Sequence, residues 1–390
     1  MVAMPMKFID SDVHPLVNAP LKTGLPGSGF FAGIREYLTR DEQAHFDLRK
    51  QLPYPRYEVP FGNFSQDAAP PDGGPPGSNA KFAIEQHLDA RGVAAGILSS
   101  LEHAYLTALP NPRDTVVLSS ALNNYLVDHW LAADRRFKLA IGVTPKDPLA
   151  AAAEIRRLAD NEQVVAVYLP TMNILFGNHY FHPVYEAAQE YGLPIFSHVG
   201  AGEGDFSGAA PMPGGQPSHF AERRSTFATV AQANVSSLVF EGTFETFPEL
   251  KFVFVEWGFA WAPPLIWAMD ARWRALRPET PWVKRPPSEY VLDHIRWTTQ
   301  PLDEPESQDH LRAVLDMIHA DRTILFSTDY PHWDNEFPDR VLRGLTPQLT
   351  QRILVDNALE TYPRLRAEVT AALAADAEAA AQAPTGSAST

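Results

Sequence analysis

The sequence predicts an α/β protein, a single (β/α)8 TIM barrel with a long Pro/Gly-rich insertion after its first strand. Three observations carry this. Eight short runs of β-branched and aromatic residues recur along the 390-residue chain. Amphipathic or Ala-rich stretches separate most of them, and strand–helix alternation with near-continuous apolar strands marks a parallel sheet covered on both faces. Eight such units favour closure into a barrel over an open sheet.

In order, the runs are 7–13 (KFIDSDV), 93–100 (VAAGILSS), 137–143 (FKLAIGV), 164–170 (VVAVYLP), 193–199 (LPIFSHV), 251–257 (KFVFVEW), 294–299 (HIRWTT) and 322–328 (RTILFST). Between the third and fourth lies DPLAAAAEIRRLADNE, a helix by its Ala content and apolar spacing. Between the fourth and fifth lies FHPVYEAAQEYG, whose closing Gly192 reads as a helix C-cap. Residues 18–80 are dense in Pro, Gly and aromatics and far too long for an ordinary βα connection. Inserted after the first strand, they fall on the carboxyl-terminal face of a barrel, as a lid or a dimer arm. Residues 201–218 (AGEGDFSGAAPMPGGQPS) form a second Gly/Pro-rich loop on that face. The barrel domain is expected over 1–365. Residues 366–390, Ala-rich and then small and polar, read as a peripheral helix running into a disordered end.

Composition removes several functions. With 32 Lys+Arg against 47 Asp+Glu the net charge is −15, which counts against nucleic acid or an anionic membrane as partner. The chain is 45% hydrophobic and 20% charged, enough for a large core. It contains no Cys, so disulfides, thiolate metal sites and thiol nucleophiles are excluded. No apolar run approaches the ~18 residues of a membrane span, and the opening MVAMPMKFIDSDVHP has no signal-like apolar region, so a cytoplasmic protein is expected. The chain has no G-x-x-x-x-G-K-[ST] and no G-x-S-x-G, and Gly200–Gly204 lacks the spacing of a dinucleotide loop.

Ionisable residues gather where a barrel places its chemistry. Side chains alternate along a strand, so Asp10, Asp12 and His14 share one face at the end of the first run. A buried Asp–His hydrogen bond and a metal site are both open readings of that pattern. The fifth run closes on His198 and the eighth on Asp329. Three strands thus deliver Asp12, His14, His198 and Asp329 to one end, and imidazole with carboxylate is a ligand set for Zn²⁺, Mn²⁺ or a similar ion.

At these residues the chain resembles a known family. Asp12-Val13-His14, Ser197-His198 and Ser327-Thr328-Asp329-Tyr330-Pro331-His332-Trp333 are similar to the amidohydrolase-related branch of the amidohydrolase superfamily. That branch contains aminocarboxymuconate-semialdehyde, γ-resorcylate and 5-carboxyvanillate decarboxylases. Residues 241–251 (EGTFETFPELK) resemble the family's lead-in to its sixth strand, and the likeness runs from the first strand to about Pro363.

The resemblance implies one divalent metal ion per chain, Zn²⁺ or Mn²⁺, held by Asp12, His14, His198 and Asp329, with Asp329 also moving protons. The family usually reads H-x-H or E-x-H at the first position, so Asp12 is a shorter variant. Many members place His where this chain has Glu256. Glu256 then serves as a base, or as a structural carboxylate paired to an Arg. His332 binds a substrate carboxylate or donates a proton, or else caps its turn. The implied activity is non-oxidative decarboxylation of a small aromatic or unsaturated carboxylic acid by a homodimer. Hydrolysis of an amide, ester or lactone by metal-activated water is the alternative, and a non-catalytic binding protein on the same barrel is a third reading. Elsewhere, His179 and His182 have H-x-x-H spacing but read equally as helix caps. His103 lies on the catalytic face by position only. Arg272, Arg274 and Arg277 form a solvated strip or a carboxylate site at a subunit boundary.

Overall fold

The computed structural model describes residues 7–18, 30–46, 64–200, 202–203 and 208–382. Its centre is one eight-stranded sheet in sequential order: β1 (Phe8–Val13), β2 (Val93–Leu98), β3 (Phe137–Gly142), β4 (Val164–Tyr168), β5 (Ile195–His198), β6 (Phe252–Val255), β7 (Ile295–Thr298) and β8 (Ile324–Leu325). Every neighbouring pair is parallel. The strands read as unbroken apolar runs because both faces are covered: β3 to β8 are buried at every position. Each fully buried Val, Ile or Phe contributes about 1.5–3 kcal/mol of burial free energy.

The intervening helices lie where the sequence places them. Pro148–Leu158 starts at Asp147, whose carboxylate accepts from the Ala150 amide at 3.0 Å. His182–Glu190 ends at Tyr191, and Gly192 follows at φ 64°, the left-handed conformation that makes glycine the favoured residue after a helix. The expected carboxyl-terminal helix is present at Arg366–Gln382 and is tied to the barrel by Glu368, which accepts from Lys138 Nζ at 2.7 Å. The disordered end expected beyond it lies outside the described residues.

The eighth strand departs from expectation. A helical turn, Ala320–Thr323, occupies its first positions, and only two residues pair with β7. The chain closes the barrel by other means. Ser11 N donates to Phe326 O at 2.9 Å and His14 N to Tyr330 O at 2.7 Å. Between them Asp10 bridges the seam, accepting from Thr328 N (2.9 Å), Thr328 Oγ1 (2.5 Å) and His87 Nε2 (2.8 Å). Asp10 therefore serves the seam, although its strand position had grouped it with Asp12 and His14. Asp10→Ala removes the acceptor of four buried donors, the Asp12 amide (3.2 Å) among them, and is expected to destabilise the fold by about 3 kcal/mol, read from urea unfolding. A change under about 1 kcal/mol would mean that water or neighbours replace it.

Part of the 18–80 insertion does reach the catalytic face. Phe64 stacks on His332 at 5.3 Å, and Ser65 N donates to Pro331 O at 2.8 Å. Residues 19–29 and 47–63 of the insertion, and 201 and 204–207 of the second loop, lie outside the described residues.

Candidate metal centre

The four residues expected to share a site do share one. One ligand atom each from Asp12, His14, His198 and Asp329 can be chosen so that all lie within 4.8 Å of one another, and all four residues are buried. β1 supplies Asp12 and carries the chain into His14, β5 ends in His198, and Asp329 follows β8. All three strands present their carboxyl-terminal ends here, the face on which barrel enzymes build their sites.

Second contacts fix which imidazole nitrogen faces the centre. His14 Nδ1 donates to the Ser99 carbonyl at 2.8 Å, and since a carbonyl only accepts, Nε2 is turned inward. There it stands 2.9 Å from Asp329 Oδ1 and 3.4 Å from Asp12 Oδ1. His198 Nδ1 donates to the Val199 carbonyl, leaving Nε2 at 3.3 Å from Asp12 Oδ2 and 3.2 Å from Glu256 Oε2. Ser99 Oγ anchors Asp12 Oδ1 at 3.0 Å and Gln300 Nε2 anchors Asp329 Oδ2 at 2.8 Å. Outer contacts of this kind orient metal ligands.

These residues fit a divalent cation. Asp12 Oδ2 and His198 Nε2 are both buried and neither makes a hydrogen bond, an arrangement that costs free energy unless something bridges them. The charge balance agrees. Burial works against ionising Asp12, but His14 and His198 override it and hold the carboxyl well below its usual range. Burial likewise disfavours charge on the two imidazoles, yet Asp12 lifts His14 well above its ordinary value and His198 to about 10. The pocket thus stabilises positive charge between its ligands, and a divalent ion supplies that charge when it displaces the protons.

Two further groups flank the cluster. His332 Nδ1 contacts Asp329 Oδ1, its ring lies 4.8 Å from that of His14, and only 8% of the residue is exposed. Glu256 follows β6 and touches His198 on one side and Arg224 Nη1 on the other. Burial works to raise its carboxyl, but Arg224 and His198 hold it well below the usual range. Of the two roles open for Glu256, the geometry favours the Arg-paired carboxylate, since an acid so strongly ionised accepts protons poorly. Glu256 and Asp329 both adopt positive φ, 59° and 66°, which places non-glycine residues under backbone strain at the site.

Other sequence candidates lie elsewhere. His103 is a core histidine: it packs against Gly142, where an added Cβ would lie 2.2 Å from its ring, and burial pushes it down to about 4. His179 and His182 lie with ring centroids 4.5 Å apart, but Asn178 makes the cap there, accepting from Tyr180 N at 2.9 Å. Arg272, Arg274 and Arg277 are exposed on the helix Ala262–Leu276 and the residue after it. The arginine that does reach the site is Arg224, on the helix Phe220–Thr226, with Nη2 also 2.5 Å from Asp334 Oδ2. Its place could not be read from the sequence, because it follows a long loop whose spacing fixes no register. Ser99 and Gln300 had a signal, since Ser99 follows β2 directly and Gln300 lies two residues past β7.

One acid beside the site titrates near neutrality. Glu102 is fully buried and receives the Val17 amide at 3.3 Å and Ser100 Oγ at 3.0 Å, and burial raises its carboxyl from 4.5 to about 7. The folded protein then holds a proton there that the unfolded chain releases near pH 4.5, so stability from this group is present at low pH and falls as pH rises to about 7. Glu102→Gln is expected to flatten the decline in unfolding free energy between about pH 4.5 and 7 relative to wild type. Equal slopes in the two proteins would remove Glu102 as its source.

Both the chain and its fold are similar to those of known proteins. The chain is 24% identical over 261 residues to γ-resorcylate decarboxylase of a Rhizobium species, spanning 63% of this chain and 74% of that protein. Its fold is similar to that of 5-carboxyvanillate decarboxylase from Sphingomonas paucimobilis, with TM-score 0.62, 18% identity and coverage of 92% and 99% of the two chains. It is also similar to a dihydroxybenzoic acid decarboxylase from Polaromonas solved with manganese and 2-nitroresorcinol, with TM-score 0.61, 18% identity and 94% and 99% coverage. The family model described as amidohydrolase matches residues 9–364, from β1 through the groups that follow β8, and so the chain belongs to the amidohydrolase family.

Proposed function

We propose that this chain is a metal-dependent decarboxylase of a small aromatic or unsaturated carboxylic acid. The observation that carries the reading is the buried cluster of Asp12, His14, His198 and Asp329, with Asp329 held between His14, His332 and Gln300. The relatives support decarboxylation, since the three named above are decarboxylases of hydroxybenzoates or of carboxyvanillate. An ion held by Asp12, His14, His198 and Asp329 would supply Lewis-acid chemistry to the substrate.

The chain's own groups do the rest. Asp329 delivers a proton to the ring carbon that bears the carboxylate. The bond from that carbon to the carboxylate then breaks, its electron pair remains on the ring, and CO2 leaves. His332, in contact with Asp329 and retaining 8% exposure, returns the proton to Asp329 from solvent. Glu256 fixes His198 and Arg224, and Arg224 in turn bridges Glu256 and Asp334 at the edge of the centre. Residues 1–365 form the catalytic domain and 366–390 a peripheral extension. The reading carries with it a cytoplasmic homodimer using Zn²⁺ or Mn²⁺. No described helix is long and apolar enough to cross a membrane.

The test is turnover of 2,6-dihydroxybenzoate, 5-carboxyvanillate and related acids in deuterated water. The expected result is CO2 with one deuterium on the carbon that lost it. Two fragments carrying solvent oxygen from an amide, ester or lactone, with no CO2 from any acid, would replace this reading with hydrolysis.

A further inference from the structure

At the opposite end of the barrel, where β6, β7 and β8 begin, lies a cavity of about 520 Å³. Four cations line it: Lys251, just before β6; Arg296, the second residue of β7; Arg322, two residues before β8; and Arg285. Three carboxylates also line it, and each is already engaged. Glu245 is 2.6 Å from Lys284 and accepts from the Tyr290 hydroxyl. Asp293 is shared by Arg285 at 2.5 Å and Arg322 at 3.6 Å. Glu360 takes both Nη groups of Arg352, at 2.7 and 2.9 Å.

Two cations, Arg296 and Lys251, make no salt bridge among the described residues, although Glu360 and Asp293 act on Arg296, and Asp293 and Glu249 on Lys251, from farther away. Arg296 is only 5% exposed, yet no carboxylate lies within salt-bridge distance of it. Its two hydrogen bonds both come from Nη1, to the Leu292 and Ile295 carbonyls at 3.1 and 2.8 Å, and its buried Nε makes none. The Lys251 ammonium donates only to the Asp293 carbonyl, at 3.2 Å. Burial, then the neighbouring Arg322, pulls the Arg296 guanidinium down to about 10, the mark of a cation in need of an anion. A buried guanidinium held only by carbonyls costs stability, and an apolar side chain would fill the same volume at lower cost. Its planar fork of donors instead matches the oxygens of a phosphate or carboxylate.

We infer that this cavity is a second binding site, specific for a small multivalent oxyanion, a phosphate compound or a di- or tricarboxylate, held by Arg296 and Lys251. The volume exceeds what inorganic phosphate needs and falls in the range of small-metabolite pockets. The site lies on the face of the barrel away from the metal centre and is independent of the reaction proposed there.

Calorimetric titration of the full chain with inorganic phosphate, pyrophosphate and citrate at low ionic strength tests it, with NaCl at matched ionic strength as the control. The arms distinguish phosphate from polycarboxylate chemistry. Saturable binding of at least one probe is expected, kept in His198→Ala and weakened at least about tenfold in Arg296→Gln. Because Arg296 is buried, the partly exposed Lys251→Gln gives a second reading if Arg296→Gln does not fold. Binding that disappears in His198→Ala but survives in Arg296→Gln and Lys251→Gln would place the anion at the metal centre and overturn the inference. So would a response that NaCl reproduces, or no saturable binding by any probe.

Discussion

Asp329→Asn is expected to lower kcat by about 10³-fold while leaving the fold intact, since general acid catalysis contributes typically about 10²–10⁴-fold. Asparagine has the same shape and tolerates the left-handed backbone that Asp329 adopts at φ 66°, so little rearrangement should follow. Its amide can neither hold nor pass the proton that a carboxyl carries. Turnover, circular dichroism and the urea midpoint measured on one preparation separate the chemical loss from unfolding. Turnover within about tenfold of wild type, in a folded variant, would remove Asp329 from proton transfer and leave it at most a ligand.

Protein purified without added metal or chelator should hold about one transition-metal ion per chain, and Asp12→Ala and His198→Ala should hold little. Each removes an inward-facing atom that makes no hydrogen bond in the protein and is free to bind the ion. Because the ion binds the folded chain, chelation should also lower the thermal midpoint, and Mn²⁺ or Zn²⁺ should restore it. Elemental analysis and a melting curve suffice. No metal in wild type, and none taken up from added Zn²⁺ or Mn²⁺, would make the cluster structural and favour the reading of the barrel as a binding protein.

Much of the architecture was legible because barrel strands advertise themselves. Runs such as Phe252–Val255 are apolar throughout, and the helices between them carry caps and a closing glycine such as Gly192. The metal cluster was legible for a related reason: Asp12, His14, His198 and Asp329 sit at or just beyond strand ends, where sequence position and spatial position nearly coincide. Arg224 escaped because it lies beyond a loop of many glycines and prolines, and nothing local says that the helix Phe220–Thr226 turns back over the site. Asp10 shows the limit of strand alternation. Alternation assigned its face correctly, but only the tertiary structure shows that Thr328 and His87 take its carboxylate before any ion can. The short β8 has the same origin, with a side chain standing in for strand pairing at the seam.

That seam joins positions 318 apart in the chain, and the proposed ligands straddle it. A growing polypeptide therefore acquires Asp12 and His14 almost at once yet has no centre until the last strand emerges. A product ending before Ile324 would keep most of the apolar interior while lacking Asp329 and both groups that Thr328 offers Asp10. Catalytic competence and completion of the barrel are in this sense one event, and an active truncated form ending before β8 is not to be expected.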